Sequence, residues 1–376
     1  MKISMIGTLP PITSISAYCL EQVTALGQFV DIQFINFKSL YPKLVFKWVT
    51  EETIAVKPVT QRRILTWYNP LSWIYAGLIL DGDIVHFHWW TYYLFPVFFT
   101  MLVMAKLKQK KIVCTLHNIR GHETNKVDWL LTKIILSFAQ SFIVHSEKNQ
   151  QNLMMRYHIP RKRTVVIPYG TLTLYKTKKL SKTQARKHLN IPLDKKVLLF
   201  FGCIRKYKGL DILIRAFSLV RQSIPRTTLL IAGECWEDWQ RYNLLIRRLR
   251  LEQDVIVDIR FIPTDEVQYY FTAADLLVLP YRHFESQSGP GTIGLTFGKA
   301  MIVSKTGSLP LLVNNNNCIV STHSAHDYAK AILKILQNRR LQRELENDAR
   351  SLSAIYSASK SAKLTNDLYK SVLHED

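Results

Sequence analysis

Two cations on one turn carry the first chemical suggestion in this chain. Residues Leu198 to Phe217 read L-L-F-F-G-C-I-R-K-Y-K-G-L-D-I-L-I-R-A-F: an apolar run stops at Gly202, an amphipathic run starts near Gly209, and Arg205 and Lys208 lie between them. A strand-to-helix turn offers free backbone N–H groups at the positive end of the helix dipole, so two added cations make a site for a diphosphate. The alternative is a solvated basic loop. A second stretch, Asp275 to Leu312, reads as strand, loop, helix, strand and loop, with the small residues Ser286, Ser288, Gly289 and Gly291 before its helix. Backbone amides there can approach a second face of the same phosphates.

Other spacings point to chemistry less firmly. Gly289 to Gly294, G-P-G-T-I-G, matches the dinucleotide fingerprint literally, but several residues separate it from its strand and the later region is Leu312-Val313-Asn314, without the acidic residue expected about 20 positions on. NAD binding is therefore not favoured. Asp81-Gly82-Asp83 has the form of a metal-holding D-x-D, yet Asp and Gly also turn a chain into a strand, here Ile84 to His88. His86 and His88 share a strand face without a Cys, Asp or Glu spaced to complete a metal site, and are expected to be packed or to line a cleft. Strand Lys111–Thr115 leads into C-T-L-H-N-I-R-G-H-E, which puts His117 and Asn118 at a carboxyl strand end and His122 and Glu123 one loop further. Polar groups gathered there suit substrate hydroxyls or acid–base work.

The elements that must position these residues alternate between short β-branched runs and longer amphipathic ones, the pattern of βαβ units and parallel sheets. Strands are expected at Lys2–Gly7, Asp31–Asn36, Asp83–His88, Lys111–His117, Ser141–His145 and Thr164–Ile167. The back half repeats the scheme at Lys196–Phe201, Thr227–Ala232, Val255–Ile259, Leu276–Leu279 and Ala300–Ser304. Pro168 to Lys195 is basic, polar and without a strong period, as a linker into a short helix would be. The fold class is α/β, with two Rossmann-like domains facing a central cleft: 1–175 in front, 176–350 behind, and a C-terminal helix, 351–376, that could cross back to the front domain.

A chain of 376 residues, 48% apolar, has material for two cored domains and is neither disordered nor a repeat array. The five cysteines, Cys19, Cys114, Cys203, Cys235 and Cys318, are odd in number and scattered, which argues for a reduced protein without a disulfide framework or a zinc site. The N-terminal apolar run breaks at Pro10-Pro11 and reads as a first strand, so a cytoplasmic protein is expected. Trp89 to Ala105 approaches the length of a spanning helix, but Pro96, Thr91 and Thr100 interrupt it between two strands, as in a crossover helix.

Taken in order, H-F-H-W-W-T, T-L-H-N-I-R-G-H-E, F-F-G-C-I-R-K-Y-K-G-L-D, I-A-G-E-C-W-E-D, A-A-D-L-L-V-L-P-Y and S-Q-S-G resemble the glycosyltransferases of family 4, with GT-B architecture, from Met1 to about Val313. The resemblance implies a retaining hexosyl transfer from a UDP- or GDP-type sugar, with no metal ion and no further cofactor, to a saccharide or lipid-linked acceptor in polysaccharide or glycoconjugate synthesis. It assigns Arg205 and Lys208 to the donor diphosphate, Ser288 and Gly289 to the loop on its other side, and His117 to a place beside the donor sugar. Glu285 corresponds to the first glutamate of the family's E-x(7)-E element, and the resemblance makes it, with His117, an expected catalytic residue. Eight positions on stands Ile293, and eight on from Ser286 stands Gly294, so the second carboxylate is missing; Leu311 also stands where relatives often carry an acid. Gly7, Asn118, His122 and Glu123 are assigned to the acceptor or the cleft. The alternatives are a non-catalytic sugar-nucleotide-binding relative or a basic nucleic-acid-binding protein.

The net charge of +22 is uneven: residues 1–190 hold 25 of the 50 Lys and Arg but only 9 of the 28 Asp and Glu. Lys106, Lys108, Lys110 and Lys111, with Arg161, Lys162 and Arg163, suit an anionic membrane surface, so peripheral attachment at the inner face of the cell membrane is expected. Such a charge also suits nucleic acid, but no recognition helix, aromatic sheet or zinc module accompanies it, and no nucleic-acid partner is expected.

Overall fold

A computed structural model describes residues 1–13, 15–42, 52, 60–119, 126–284 and 287–374. The chain divides into two compact units, Met1–Gly170 with Tyr356–Asp376, and Thr171–Ile355. These limits differ from the expected 175 and 350. The Leu172 amide donates to Thr296 Oγ1 of the second unit at 3.1 Å. At the other end the helical stretch is broken: one helix ends at Ile355 and a second, Ala358–His374, begins beyond Ser357, whose Oγ accepts from the Lys360 amide.

The first unit holds β1 (Lys2–Ile6), β2 (Asp31–Ser39), β3 (Gln61–Thr66), β4 (Ile84–Trp89), β5 (Lys111–Leu116), β6 (Ser141–Val144) and β7 (Thr164–Val166). Its helices are α1 (Ser16–Leu26), α2 (Pro70–Leu78), α3 (Phe95–Leu107), α4 (Lys126–Ser137) and α5 (Glu147–Tyr157). The strands form one parallel sheet in the order β3-β2-β1-β4-β5-β6-β7. Parallel strands are covered on both faces and read as nearly unbroken apolar runs, as Ile84–Trp89 does with all six residues buried. The strand period of two sorts those six: Val85, Phe87 and Trp89 join the core under α3, while Ile84, His86 and His88 point to the face covered by α1 and the C-terminal helix. β3 escapes the sequence pattern because it is an edge strand whose first half, Gln-Arg-Arg, is polar and largely exposed.

The second unit holds α6 (Lys182–His188), β8 (Lys196–Phe201), α7 (Leu210–Ser223), β9 (Thr227–Ala232), α8 (Gln240–Arg248), β10 (Val255–Asp258), α9 (Val267–Ala273), β11 (Leu276–Leu279), α10 (Gly289–Thr296), β12 (Met301–Ser304), β13 (Ile319–Val320), α11 (Ala325–Leu336) and α12 (Arg339–Ile355). Its sheet is again parallel, in the order β10-β9-β8-β11-β12-β13. Buried Asp275 anchors the entry to β11: its carboxylate accepts from Arg186 at 2.8 Å and from the Val197 amide at 2.7 Å, and pairs with Lys182. α6, β8 and β11 are thereby fixed to one another. Among the described residues, no helix is long and apolar enough to cross a membrane; Trp89 to Ala105 is divided between the end of β4, a short turn and α3.

Candidate active site

In the second unit, β8 has β9 on one side and β11 on the other, so the loops leaving β8 and β11 diverge at their carboxyl ends. A doubly wound sheet opens its ligand crevice at such a point. The two loops there carry the four phosphate candidates. Gly202, with φ of +97°, turns the chain out of β8, and Gly209, with φ of +69°, starts α7. A methyl group on Gly209 would meet the Pro280 carbonyl oxygen at 2.1 Å, so only glycine lets the β8 loop lie on the β11 loop. The loops are laced further by the Arg282 amide donating to the Tyr207 carbonyl at 2.6 Å and by an Arg282–Asp211 ion pair at 2.5 Å.

Lys208 is buried on this loop, 7% exposed, with its Nζ 3.3 Å from where a Cβ on Gly202 would sit and 5.7 Å from the Tyr281 ring centre. Among the described residues no carboxylate forms an ion pair with it. Burial pushes its ammonium down to about 8, with Arg205 adding to the effect and Cys203 opposing it. Arg205 has its guanidinium carbon 5.3 Å from the Trp236 ring centre and 5.7 Å from that of Tyr207.

On the β11 side, Ser288 caps α10, its Oγ accepting from the Gly291 amide at 3.2 Å and lying 3.3 Å from Tyr281 Oη. Pro290 occupies the first turn against Gly202. Space is open beside Gly289, whereas a Cβ on Gly291 would strike Leu312 at 2.3 Å and one on Gly294 would strike Leu277 and Met301 at 2.8 Å. Two of the three fingerprint glycines thus serve packing of the helix on the core. Arg205, Lys208, Ser288 and Gly289 converge, while Glu285 and Ser286 lie outside the described residues. Tyr281, Trp236 and Pro290 complete the surround. Each stands within or beside a quoted run, but nothing in spacing alone singles out an aromatic that will meet a cation.

In the first unit the corresponding point lies between β1 and β4. A Cβ on Gly7 would sit 3.0 Å from the His88 ring and 3.1 Å from Cys19 Sγ, so glycine is required where β1 ends against β4. His117, at the carboxyl end of β5, has its Nε2 3.1 Å from His88 Nδ1. Tyr18 presents its ring to His88, His117 and His145 at 5.8, 4.9 and 5.3 Å. His86 bonds Thr115 Oγ1 at 2.7 Å and Tyr369 Oη at 2.5 Å. Burial first, then the neighbouring imidazoles, holds His117 and His88 well below the usual histidine range, so both are neutral at pH 7. Asn118 donates to the Trp90 carbonyl at 2.9 Å, joining adjacent strand ends. His122 and Glu123 lie outside the described residues. Asp81 and Asp83 are both held by Lys2 at the amino ends of the strands, and Gly82, its amide on Ser4 Oγ, makes the turn.

Two family models match the chain: Glycosyltransferase Family 4 over residues 36–171 and Glycosyl transferases group 1 over residues 181–352. YtcC of Bacillus subtilis is 27% identical over 70% of this chain and 68% of its own length. A D-inositol 3-phosphate glycosyltransferase of Corynebacterium aurimucosum is 26% identical over 69% of this chain and 64% of its own. The matched part thus spans about two-thirds of these curated relatives. Anabaena Alr3699/HepE, solved in complex with UDP and glucose, shares the fold with a TM-score of 0.75 at 17% identity, over 99% of this chain and all of its own. With two Rossmann-like units of parallel sheet and a family model on each, the chain belongs to the group 1 and family 4 glycosyltransferases of GT-B architecture.

Proposed function

We propose that the chain transfers a hexosyl group, with retention at the anomeric carbon, from a nucleoside-diphosphate sugar to a saccharide or lipid-linked acceptor at the cytoplasmic face of the membrane, in polysaccharide or glycoconjugate synthesis. The observation that carries this reading is the buried ammonium of Lys208, without a carboxylate partner among the described residues, beside the capped start of α10. A charge held in an apolar wall is costly unless an anion joins it. A donor diphosphate provides that anion, taking hydrogen bonds from Lys208 and Arg205 on one side and from amides near Ser288 and Gly289 on the other.

Departure of the nucleoside diphosphate concentrates negative charge on these oxygens as the sugar becomes oxocarbenium-like, so fixed cations and amides lower the barrier without reorganising. The charge is met by the protein's own groups, and no metal is assigned a role. A UDP-type donor is favoured by the neighbour with UDP and glucose in its crystals. Neutral His117 offers a substrate a hydrogen bond rather than a charge. A front-face route, in which the leaving phosphate takes the acceptor proton, needs no carboxylate nucleophile.

A panel of UDP- and GDP-sugars tests the reading. One member should raise the melting temperature and release its nucleoside diphosphate, with an unchanged anomeric configuration in the product by NMR. No stabilisation and no turnover with any member would reject it.

A further inference from the structure

α2 is a nine-residue helix, Pro-Leu-Ser-Trp-Ile-Tyr-Ala-Gly-Leu, without a charged residue. It forms because Asn69 caps it, accepting from the Leu71 amide at 3.1 Å, and because Pro70 is preset for a first helical position. Its inward face is settled: Trp73 donates to the Thr66 carbonyl at 2.6 Å, Ala76 is buried, and Gly77 lies on α3 so closely that a Cβ would strike Met104 at 2.7 Å. The outward face is also apolar. Leu71, Ile74, Tyr75 and Leu78, spaced as one helical stripe, are 42–73% exposed, and Trp67 and Tyr68 precede them, also exposed.

An apolar stripe of this size on a surface calls for a partner, and the surrounding charge says which. Arg62 and Arg63 are exposed on β3, the edge strand against which α2 packs. At the other border Lys108 donates to the Leu78 and Leu80 carbonyls at the end of α2, which brings exposed Leu107 and Lys106 of α3 to that end. Between Thr60 and Lys111 the acidic residues are Asp81 and Asp83, both held by Lys2. Of the expected cationic clusters, Lys108 serves these carbonyls, and Arg163 is engaged with the Gln140 and Ala139 carbonyls. Arg62, Arg63 and Lys106, with no ion-pair partner among the described residues, form a basic rim around α2.

We propose that the outward face of α2, with Leu107 and the rim of Arg62, Arg63 and Lys106, docks the protein on an anionic lipid bilayer. The apolar stripe enters the acyl boundary while the cations meet headgroup phosphates. This deepens the membrane-side reading above and rests on it for the acceptor only.

The test is sedimentation of the full chain with vesicles of equal parts phosphatidylglycerol and phosphatidylcholine, and with phosphatidylcholine alone. Wild type should bind the anionic vesicles, less so in high salt, and scarcely bind the neutral ones. Ile74→Glu should lower binding about tenfold, the loss of one inserted apolar side chain. Arg62→Glu with Arg63→Glu should weaken anionic binding only. Stabilisation by UDP, measured on the same variants, should equal that of wild type, which shows that they fold and separates a failure here from a failure of the donor site. Equal sedimentation of wild type and Ile74→Glu, or none with anionic vesicles, would overturn the proposal. So would a wild-type dimer in analytical ultracentrifugation that Ile74→Glu abolishes, because the face would then belong to a second copy.

Discussion

Gly202 and Pro290 are held so close that a methyl group on the glycine would lie 2.9 Å from Pro290 Cγ. The contact joins the turn after β8 to the start of α10, and so fixes the spacing between Lys208 and the amides facing it. Gly202→Ala meets this obstacle at a φ of +97°, a conformation that costs a side chain about 1–3 kcal/mol. Urea denaturation should show a loss of that size, with UDP binding weakened in the folded variant. Wild-type stability together with wild-type binding would mean that the two loops move independently.

Asp275 should matter to the fold rather than to the chemistry. Burial alone would raise its carboxyl, but Lys182, the Val197 amide and Arg186 outweigh it and hold the group below the ordinary carboxylate value. A lowered folded value gives stability that is complete above about pH 4 and lost as pH falls through the lowered value. Asp275→Asn leaves Arg186 buried without its counter-charge and should cost about 3–5 kcal/mol by chemical denaturation. A change near zero would show that the ion network adds nothing.

The histidine cluster predicts acid sensitivity of the same sign, setting in at higher pH. Burial lowers His86 to about 3 and His145 to about 4, the latter despite the bond to the Ile167 carbonyl. The unfolded chain binds protons first as pH falls below about 6.5, so stability should decline from there towards pH 4, by about 1.4 kcal/mol per unit for each group. His145→Asn should make that decline shallower in denaturation curves at pH 4.5, 5.5 and 6.5. An unchanged slope would remove His145 from the account.

Much of this architecture was readable because parallel strands announce themselves. Lys196–Phe201 and Thr227–Ala232 are apolar runs bounded by turn residues, and both strands have those limits. Gln61–Thr66 was hidden by its exposed arginines, and Ile319–Val320 by its two-residue length. Arg205 and Lys208 could be read as a pair because one short turn carries both. Tyr369 could not be tied to His86, since 283 residues separate them and only the fold of the C-terminal helix onto α1 and β4 brings them together. The outward stripe of α2 was equally opaque: Leu71, Ile74, Tyr75 and Leu78 have the spacing of a core face, and only the packing of Trp73 and Gly77 shows which side is inside.

Calorimetric titration of UDP into wild type and Lys208→Met, at pH 7 and pH 9, bears most directly on the donor site. Because the free ammonium of Lys208 titrates near 8, binding that requires its charge should be strongest below pH 8 and fall about tenfold per unit above it. Lys208→Met should bind at least about tenfold more weakly at pH 7, with no change between the two pH values, the loss of one buried charge-assisted contact. The same variant binding UDP as tightly as wild type at pH 7, with wild type indifferent to pH, would contradict a diphosphate held on this turn.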